Sequence, residues 1–248
     1  MKPEQAAKSG KDLFRERFAA EHPLVGGEWG KAAENLRRIP PYAGARTVMV
    51  SLHPALRQVC LNLLNDRKRI VLPTPGLQKG FVLLDPAAIP PSKRLPAIQM
   101  KLKDPSLVKL PYHKPMKEPV DMIVTESLAV TRDGKRMGSG EGFLDLQAAI
   151  LHALGWTSPE LRVVTIVQED QLVESLPTED TDVDIHWIVT PRQVMEAFRG
   201  VFSGGGILWE NLENRAVRRN DALYYLYRRS GKGPPQPAQN IGDRPENT

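Results

Sequence analysis

Short apolar runs of strand length, separated by stretches with helical spacing, limit this chain to few architectures. Residues 46–51 (RTVMVS), 69–72 (RIVL), 120–125 (VDMIVT), 162–167 (RVVTIV) and 185–190 (IHWIVT) read as buried strands, and residues 81–84 (FVLL) as a further one. Helical patterns stand between them at 54–65 and at about 141–154. In the second, Phe143, Leu146, Ala149, Ile150 and Leu154 make one apolar face. Strands that alternate with helices are joined by crossovers rather than tight hairpins. The expected fold is therefore α/β and three-layered, with a mainly parallel sheet and helices on both faces.

Other segments fall outside this alternation. Residues 9–21 (SGKDLFRERFAAE) read as a capped helix, with Ser9 as N-cap and Leu13, Phe14, Phe18 and Ala19 at near-helical spacing. A Gly/Pro-containing stretch, HPLVGGEWG, separates it from a second helical segment at 31–38, which Pro40 and Pro41 close. Residues 86–119, rich in proline and lysine, read as a long loop or lid. The run GILWENLENRAVRRNDALYYLYRR reads as one helix. The expected organisation is an α/β domain over 1–200, a helical extension over 201–229 and a disordered Pro/Gly/polar tail over 230–248.

A chain of 248 residues can bury a substantial core without staples or metals. Cys60 is the single cysteine, which excludes an intramolecular disulfide and points to a reducing compartment. The stretch MKPEQAAKSGKDLFRER has no apolar core of a secretory signal. The longest apolar runs fall far short of the roughly 20 residues that a membrane span needs, so a soluble, cytoplasmic protein is expected. The net charge of +5 favours anionic partners, among them nucleotides, polyglutamylated cofactors and nucleic acid. Charge alone does not choose among these.

The stretch that carries chemistry is 121–151, DMIVTESLAVTRDGKRMGSGEGFLDLQAAIL. A strand, a hairpin turn at Asp133-Gly134 and a basic residue, Arg136, lead into Gly138, Ser139, Gly140, Glu141 and Gly142, and a helix follows. Glycines let backbone N–H groups approach an anion closely, and a helix N-terminus adds a favourable dipole. Arg136 can add a charge-assisted contact to phosphate. The spacing is neither that of the Walker loop nor that of the dinucleotide fingerprint. A glycine-rich turn before a helix also serves as a plain tight connection, and Glu141 fits beside phosphate only facing a magnesium ion or a substrate amine.

The run RMGSGEGFLDLQAAIL resembles the loop that 5-formyltetrahydrofolate cyclo-ligases write as R-x-G-x-G-x-G-[YF]-Y-D-R, with Arg136, Gly138, Gly140, Gly142, Phe143 and Asp145 at matching positions. Its G-E-G-[FY]-x-D-L form is similar to a sister branch, the methenyltetrahydrofolate synthase domain-containing proteins. The resemblance runs from about Lys11 to about Met195. Lys11 and Arg15 match the K-x-x-x-R of the family's first helix, VLPTPGLQKGFVLL resembles the V-P-T-P-R-L-R-x-G of the sister branch, and LPTEDTDVDIHWIVTP resembles V-P-x-E-x-H-D-x-x-V-D-x-I-x-T. The chain departs from these patterns at Leu144 and Leu146, where the loop has tyrosine and arginine, at Gly76 and Gln78, where two cations are absent, and at Thr181 and His186.

The resemblance implies a cyclo-ligase-like fold and an ATP-dependent reaction. ATP would phosphorylate the formyl oxygen of 5-formyltetrahydrofolate, and attack by the neighbouring amine would close 5,10-methenyltetrahydrofolate. It implies ATP and Mg2+ as cofactors and a reduced folate or other small molecule as substrate. Lys11 and Arg136 are the implied catalytic residues. Lys11, Arg15, Gly138, Ser139, Gly140, Glu141, Gly142, Phe143 and Asp145 would bind nucleotide, Glu179, His186 and Trp187 substrate, and Asp145 the metal. Two other readings stay open: the same fold binding a nucleotide or phosphometabolite without the reaction, and a basic module that binds RNA or protein through 207–229. A monomer or homodimer fits each of them, and no membrane partner is expected.

Away from this stretch, His53 before Pro54 suits a helix cap and Cys60 on an apolar helix face suits the core. The acidic group Glu179, Asp180, Asp182 and Asp184 suits a solvated loop. No Ser-His-Asp or Cys-His order and no paired Cys/His spacing suggests a catalytic triad or zinc site.

Overall fold

The structure is a computed structural model that describes residues 9–21, 28–99, 107–138, 143–179 and 182–231. Helix α1 (Gly10–Glu21) starts where the Ser9 hydroxyl accepts a hydrogen bond from the Asp12 N–H at 3.2 Å. Next come α2 (Trp29–Leu36) and the single turn α3 (Pro40–Gly44). Pro40 and Pro41 therefore open a helical turn as well as ending the preceding segment, because proline at the first helical positions sacrifices only an N–H that has no partner there.

Strand β1 (Thr47–Val50) leads through a 3-10 turn at Pro54–Leu56 into α4 (Arg57–Asn65), and the His53 ring nitrogen Nδ1 accepts from the Ala55 N–H at 3.3 Å as the cap. Strands β2 (Arg69–Pro73) and β3 (Phe81–Leu84) follow. The region read as a long loop contains the short helix α5 (Arg94–Ile98) and the edge strand β4 (Val108–Lys109). Beyond it lie β5 (Val120–Glu126), β6 (Ala129–Thr131), β7 (Arg136–Met137), α6 (Phe143–Ala153) and β8 (Thr157–Ile166). The chain continues through β9 (Leu172–Val173), β10 (Trp187–Val189) and β11 (Val194–Glu196) to α7 (Asn214–Arg219) and α8 (Asp221–Arg229).

The main sheet has the order β11-β10-β8-β5-β1-β2-β3-β4. Its centre is parallel, with Val48 opposite Met122 on one side and Ile70 on the other. The pairings of β2 with β3, β3 with β4 and β10 with β11 are antiparallel, so the edges depart from the parallel centre. Period-two alternation divides each strand between two cores. Val48, Val50, Ile70, Leu72, Met122, Val124, Val164 and Ile166 pack under α2, α4 and α5. Met49, Val71, Ile123, Val163 and Ile188 face the other way, toward α6, α7 and α8. These are the three layers, and the C-terminal helices belong to the third of them.

A second, small sheet in the order β7-β6-β9 stands beside the first. The Asp133-Gly134 turn closes its hairpin, in which Val130 pairs with Arg136. Gly134 has φ of 91°, and a Cβ there would lie 2.4 Å from the Ile185 carbonyl oxygen, so the turn excludes a side chain twice over. The C-terminal run read as one helix is two. Asn220 breaks it, because its side-chain oxygen accepts from the N–H groups of Ala222 and Leu223, both at 3.1 Å, and so caps a new helix.

Candidate functional site

The parallel strands β1, β2 and β5 end side by side, and the residues just past those ends form one wall of a cavity of about 430 Å³. Ser51, Leu52 and His53 follow β1, Thr74 to Leu77 follow β2, and Thr125 and Glu126 finish β5. Ligands of open α/β sheets sit at this carboxyl edge. The first turn of α6 brings Leu144, Asp145 and Gln147, the β7 hairpin brings Arg136, Met137 and Gly138, and α1 brings Lys11 and Arg15. The turn after β2 is backbone-driven: Gly76 and Leu77 both lie in the left-handed region, at φ of 57° and 54°. That conformation is costly for leucine, and here the buried Leu77 side chain sits against the cavity.

Three cations from two separate elements meet at this cavity. Lys11, 8% exposed, contacts both carboxylate oxygens of Asp182 at 2.7 Å and lies 3.2 Å from Glu179. Arg15 donates from Nε to the Gly138 carbonyl at 3.2 Å, which ties α1 to the start of the glycine loop. Arg136 is 7% exposed, with Nε 3.4 Å from the Ser127 hydroxyl and Nη1 3.6 Å from Asp145. It arches over Gly138, where an added Cβ would fall 2.5 Å from Nη2. Burying Lys11 and Arg136 is costly unless each finds a counter-charge, and Asp182 and Asp145 supply it; the partly exposed Arg15 pairs with Asp12 at 2.8 Å. Incoming phosphate oxygens could share or take over those contacts.

Asp145 is held from two sides, since its other oxygen accepts the Val183 N–H at 3.0 Å. Among the described residues no group of three or more His, Cys, Asp or Glu side chains is placed to hold a metal ion alone. Mg2+ commonly takes one or two carboxylates and completes its shell with phosphate oxygens and water. Asp145, Asp182 and Glu126 all line the cavity and fit that mode. Gln147 lies on the same wall, 6% exposed, and its Oε1 has no hydrogen-bond partner among the described residues. An unmet buried carbonyl costs about 1–3 kcal/mol.

Of the residues read from sequence, Lys11, Arg15, Arg136, Gly138 and Asp145 come together here. Ser139, Gly140, Glu141 and Gly142 lie outside the described residues, as does the Phe143 side chain. Glu179 reaches the site through Lys11 rather than by lining it. His186 and Trp187 sit elsewhere. His186 is 1% exposed, its Nδ1 accepts the Val163 N–H at 3.0 Å and its Nε2 lies 3.2 Å from the Gly200 carbonyl. Both nitrogens therefore serve backbone groups, and burial holds the imidazole below its ordinary pKa. Trp187 packs against the core on the α2 side. Asp182, Gln147 and the 73–77 wall are functional candidates that sequence reasoning did not assign. The segment VLPTPGLQKG carried a signal through its family resemblance, whereas Gln147 carried none.

Comparison with known proteins shows the family. A sequence model described as the 5-formyltetrahydrofolate cyclo-ligase family matches residues 5–191. A Bos taurus methenyltetrahydrofolate synthase domain-containing protein is 30% identical over 73% of this chain and 48% of its own length. Its Homo sapiens counterpart is 31% identical over 66% of this chain and 43% of its own length, so the chain spans under half of these two relatives. The 5-formyltetrahydrofolate cyclo-ligase of Escherichia coli K12 is 29% identical over 74% of this chain and the whole of that protein. The solved structure of Aquifex aeolicus 5,10-methenyltetrahydrofolate synthetase superposes with a TM-score of 0.53 over 77% of this chain and 95% of that one, at 18% identity. The family model matches most of the chain, and the solved structure shares its fold: the chain belongs to the 5-formyltetrahydrofolate cyclo-ligase family.

Proposed function

We propose that the cavity binds ATP with Mg2+ and a reduced folate, and that the protein is an ATP-dependent 5-formyltetrahydrofolate cyclo-ligase. One observation carries the reading: Lys11, Arg15 and Arg136, brought from separate elements, converge on a cavity at the carboxyl edge of the parallel strands. The chemistry that ATP and Mg2+ would supply there is transfer of the γ-phosphoryl group to the formyl oxygen, with ADP released, the ring closed by the neighbouring amine and phosphate lost. The protein's own part is positioning and charge neutralisation, the main demands of phosphoryl transfer.

Arg136 is suited to that part because it is already desolvated. Its guanidinium is fixed from Nε by Ser127, whose hydroxyl lies 2.7 Å from that of Thr165, so the cation need not reorganise as charge builds. Lys11 would exchange part of its contact with Asp182 for phosphate oxygen. Arg15 keeps Gly138 in place, and Asp145 provides the carboxylate for Mg2+. Leu52, Pro73, Pro75, Leu77 and Leu144 give the walls an apolar surface that excludes water from the reacting groups.

The buried Cys60, whose thiol burial pushes up to about 12, is inert and in keeping with the reducing, cytoplasmic setting we propose. The test is to mix the protein with 5-formyltetrahydrofolate, ATP and Mg2+ and follow the absorbance band of the methenyl product. The band grows with ATP and not without it, and Arg136→Met lowers the rate by at least about a hundredfold. A flat trace from a folded protein that ATP still stabilises against heat would favour the second reading, a nucleotide-binding member of the family without the reaction.

A further inference from the structure

His53 caps the turn before α4 and also lines the cavity, and the cap fixes where its proton sits. Its Nδ1 accepts the Ala55 N–H at 3.3 Å. A ring nitrogen that accepts carries no proton, so the N–H of the imidazole is on Nε2, on the side of the ring away from the capped backbone. The side chain is half-buried, and Nε2 has no acceptor among the described residues. Unlike Gln147 Oε1, it is not shut off from solvent. Its neighbours on the same wall are occupied: Ser51 donates to the Thr125 hydroxyl at 3.1 Å, and Thr125 to the Glu126 carbonyl at 3.1 Å. His53 thus keeps a donor for a ligand. Lys11, Arg15 and Arg136 line the same cavity and draw anions into it. The acceptor that suits both features is an oxyanion.

Resting on the cyclo-ligase reading of this cavity, we propose that His53 is a binding residue whose Nε2–H donates to an oxyanion of the bound ligand. A nucleotide phosphate and the glutamate carboxylate of a folate share that chemistry, and separate titrations tell them apart. Two substitutions divide the two tasks of the ring. His53→Asn puts its side-chain oxygen where Nδ1 stands and keeps the cap, but it does not reach as far as Nε2. His53→Gln carries an amide N–H to the place of Nε2 and gives up the cap. Calorimetry reads the binding of ATP with Mg2+ and of 5-formyltetrahydrofolate, each titrated alone and so without turnover. His53→Asn should weaken one of the two by about tenfold and melt close to the parent protein. His53→Gln should bind that same ligand within about threefold of the parent and melt lower.

Weakened ATP identifies a phosphate as the acceptor, and weakened folate identifies the carboxylate. A His53→Asn protein that binds both ligands as the parent does makes His53 a cap alone and overturns the proposal. Equal weakening by the two substitutions overturns it too, as does a parent protein that binds neither ligand. A growing methenyl band with binding unchanged in His53→Asn would remove this assignment and leave the reaction. Binding that depends on His53 in this way, together with a flat methenyl trace, would leave the assignment standing and remove the reaction alone.

Discussion

At the scale of single residues, His186 shows how backbone contacts decide a side chain's part. Its Nδ1 accepts the Val163 N–H, so a proton on Nδ1 would set two donors against each other. Burial is the main cause that lowers its pKa, Arg162 acts in the same direction, and the Gly200 carbonyl and Asp184 oppose them. A folded pKa below the unfolded value near 6.5 means that the unfolded chain binds the extra proton first. The stability that neutral His186 contributes is therefore complete above about pH 6.5 and is lost as pH falls from there through the folded pKa, with a slope of up to about 1.4 kcal/mol per pH unit. Chemical denaturation at pH 7.5 and 5.5 should show a smaller loss for His186→Asn than for the parent protein, and equal losses would contradict this. The alternation of His186 with apolar neighbours was legible in the sequence. Its two backbone partners were not, because Val163 and Gly200 lie on segments remote from it in the chain.

At the scale of elements, α1 is the piece whose attachment decides whether the site exists. It carries Lys11 and Arg15, and it is absent from both main cores. It is anchored through Phe18, with Phe14 beside it, on Leu128, Ala129, Val173 and Leu176. Phe18→Ala should therefore loosen α1 without unfolding the sheet: amide protection over residues 10–21 falls, KM for ATP rises about tenfold or more, and the global melting temperature moves little. A large drop in melting temperature with KM unchanged would contradict that arrangement. Most elements could be read from period and caps, as with Ser9 at α1 and His53 before α4. Elements governed by tertiary pairing could not. The edge strand β4 is two residues long and exists because Val82 and Leu83 pair with it, and the break at Asn220 depends on a cap inside a continuous helical pattern. The glycine loop was legible as a motif, whereas the cavity wall at 73–77 needed the parallel ordering of β1, β2 and β5 to place it.

At the scale of the whole molecule, the C-terminal helices are part of the third layer, with Val217, Ala222 and Leu223 buried in the same core as Leu144, Ala148 and Leu151 of α6. We propose accordingly that residues 201–229 complete the domain. Burial of Val217 and Leu223 contributes about 1.5–3 kcal/mol each, so ending the chain after residue 206 should lower the melting temperature by roughly 10 °C or more. An unchanged melting temperature would fit a detachable RNA- or protein-binding module instead. No helix among the described residues is long and apolar enough to cross a membrane. The proposed function requires three cations, from α1 and β7, to act as one phosphate site. Calorimetric titration of ATP with Mg2+ into the parent protein and into Lys11→Met, Arg15→Met and Arg136→Met tests this directly. Each variant, folded by circular dichroism, should bind at least about tenfold more weakly. Three variants that bind ATP as tightly as the parent would contradict it.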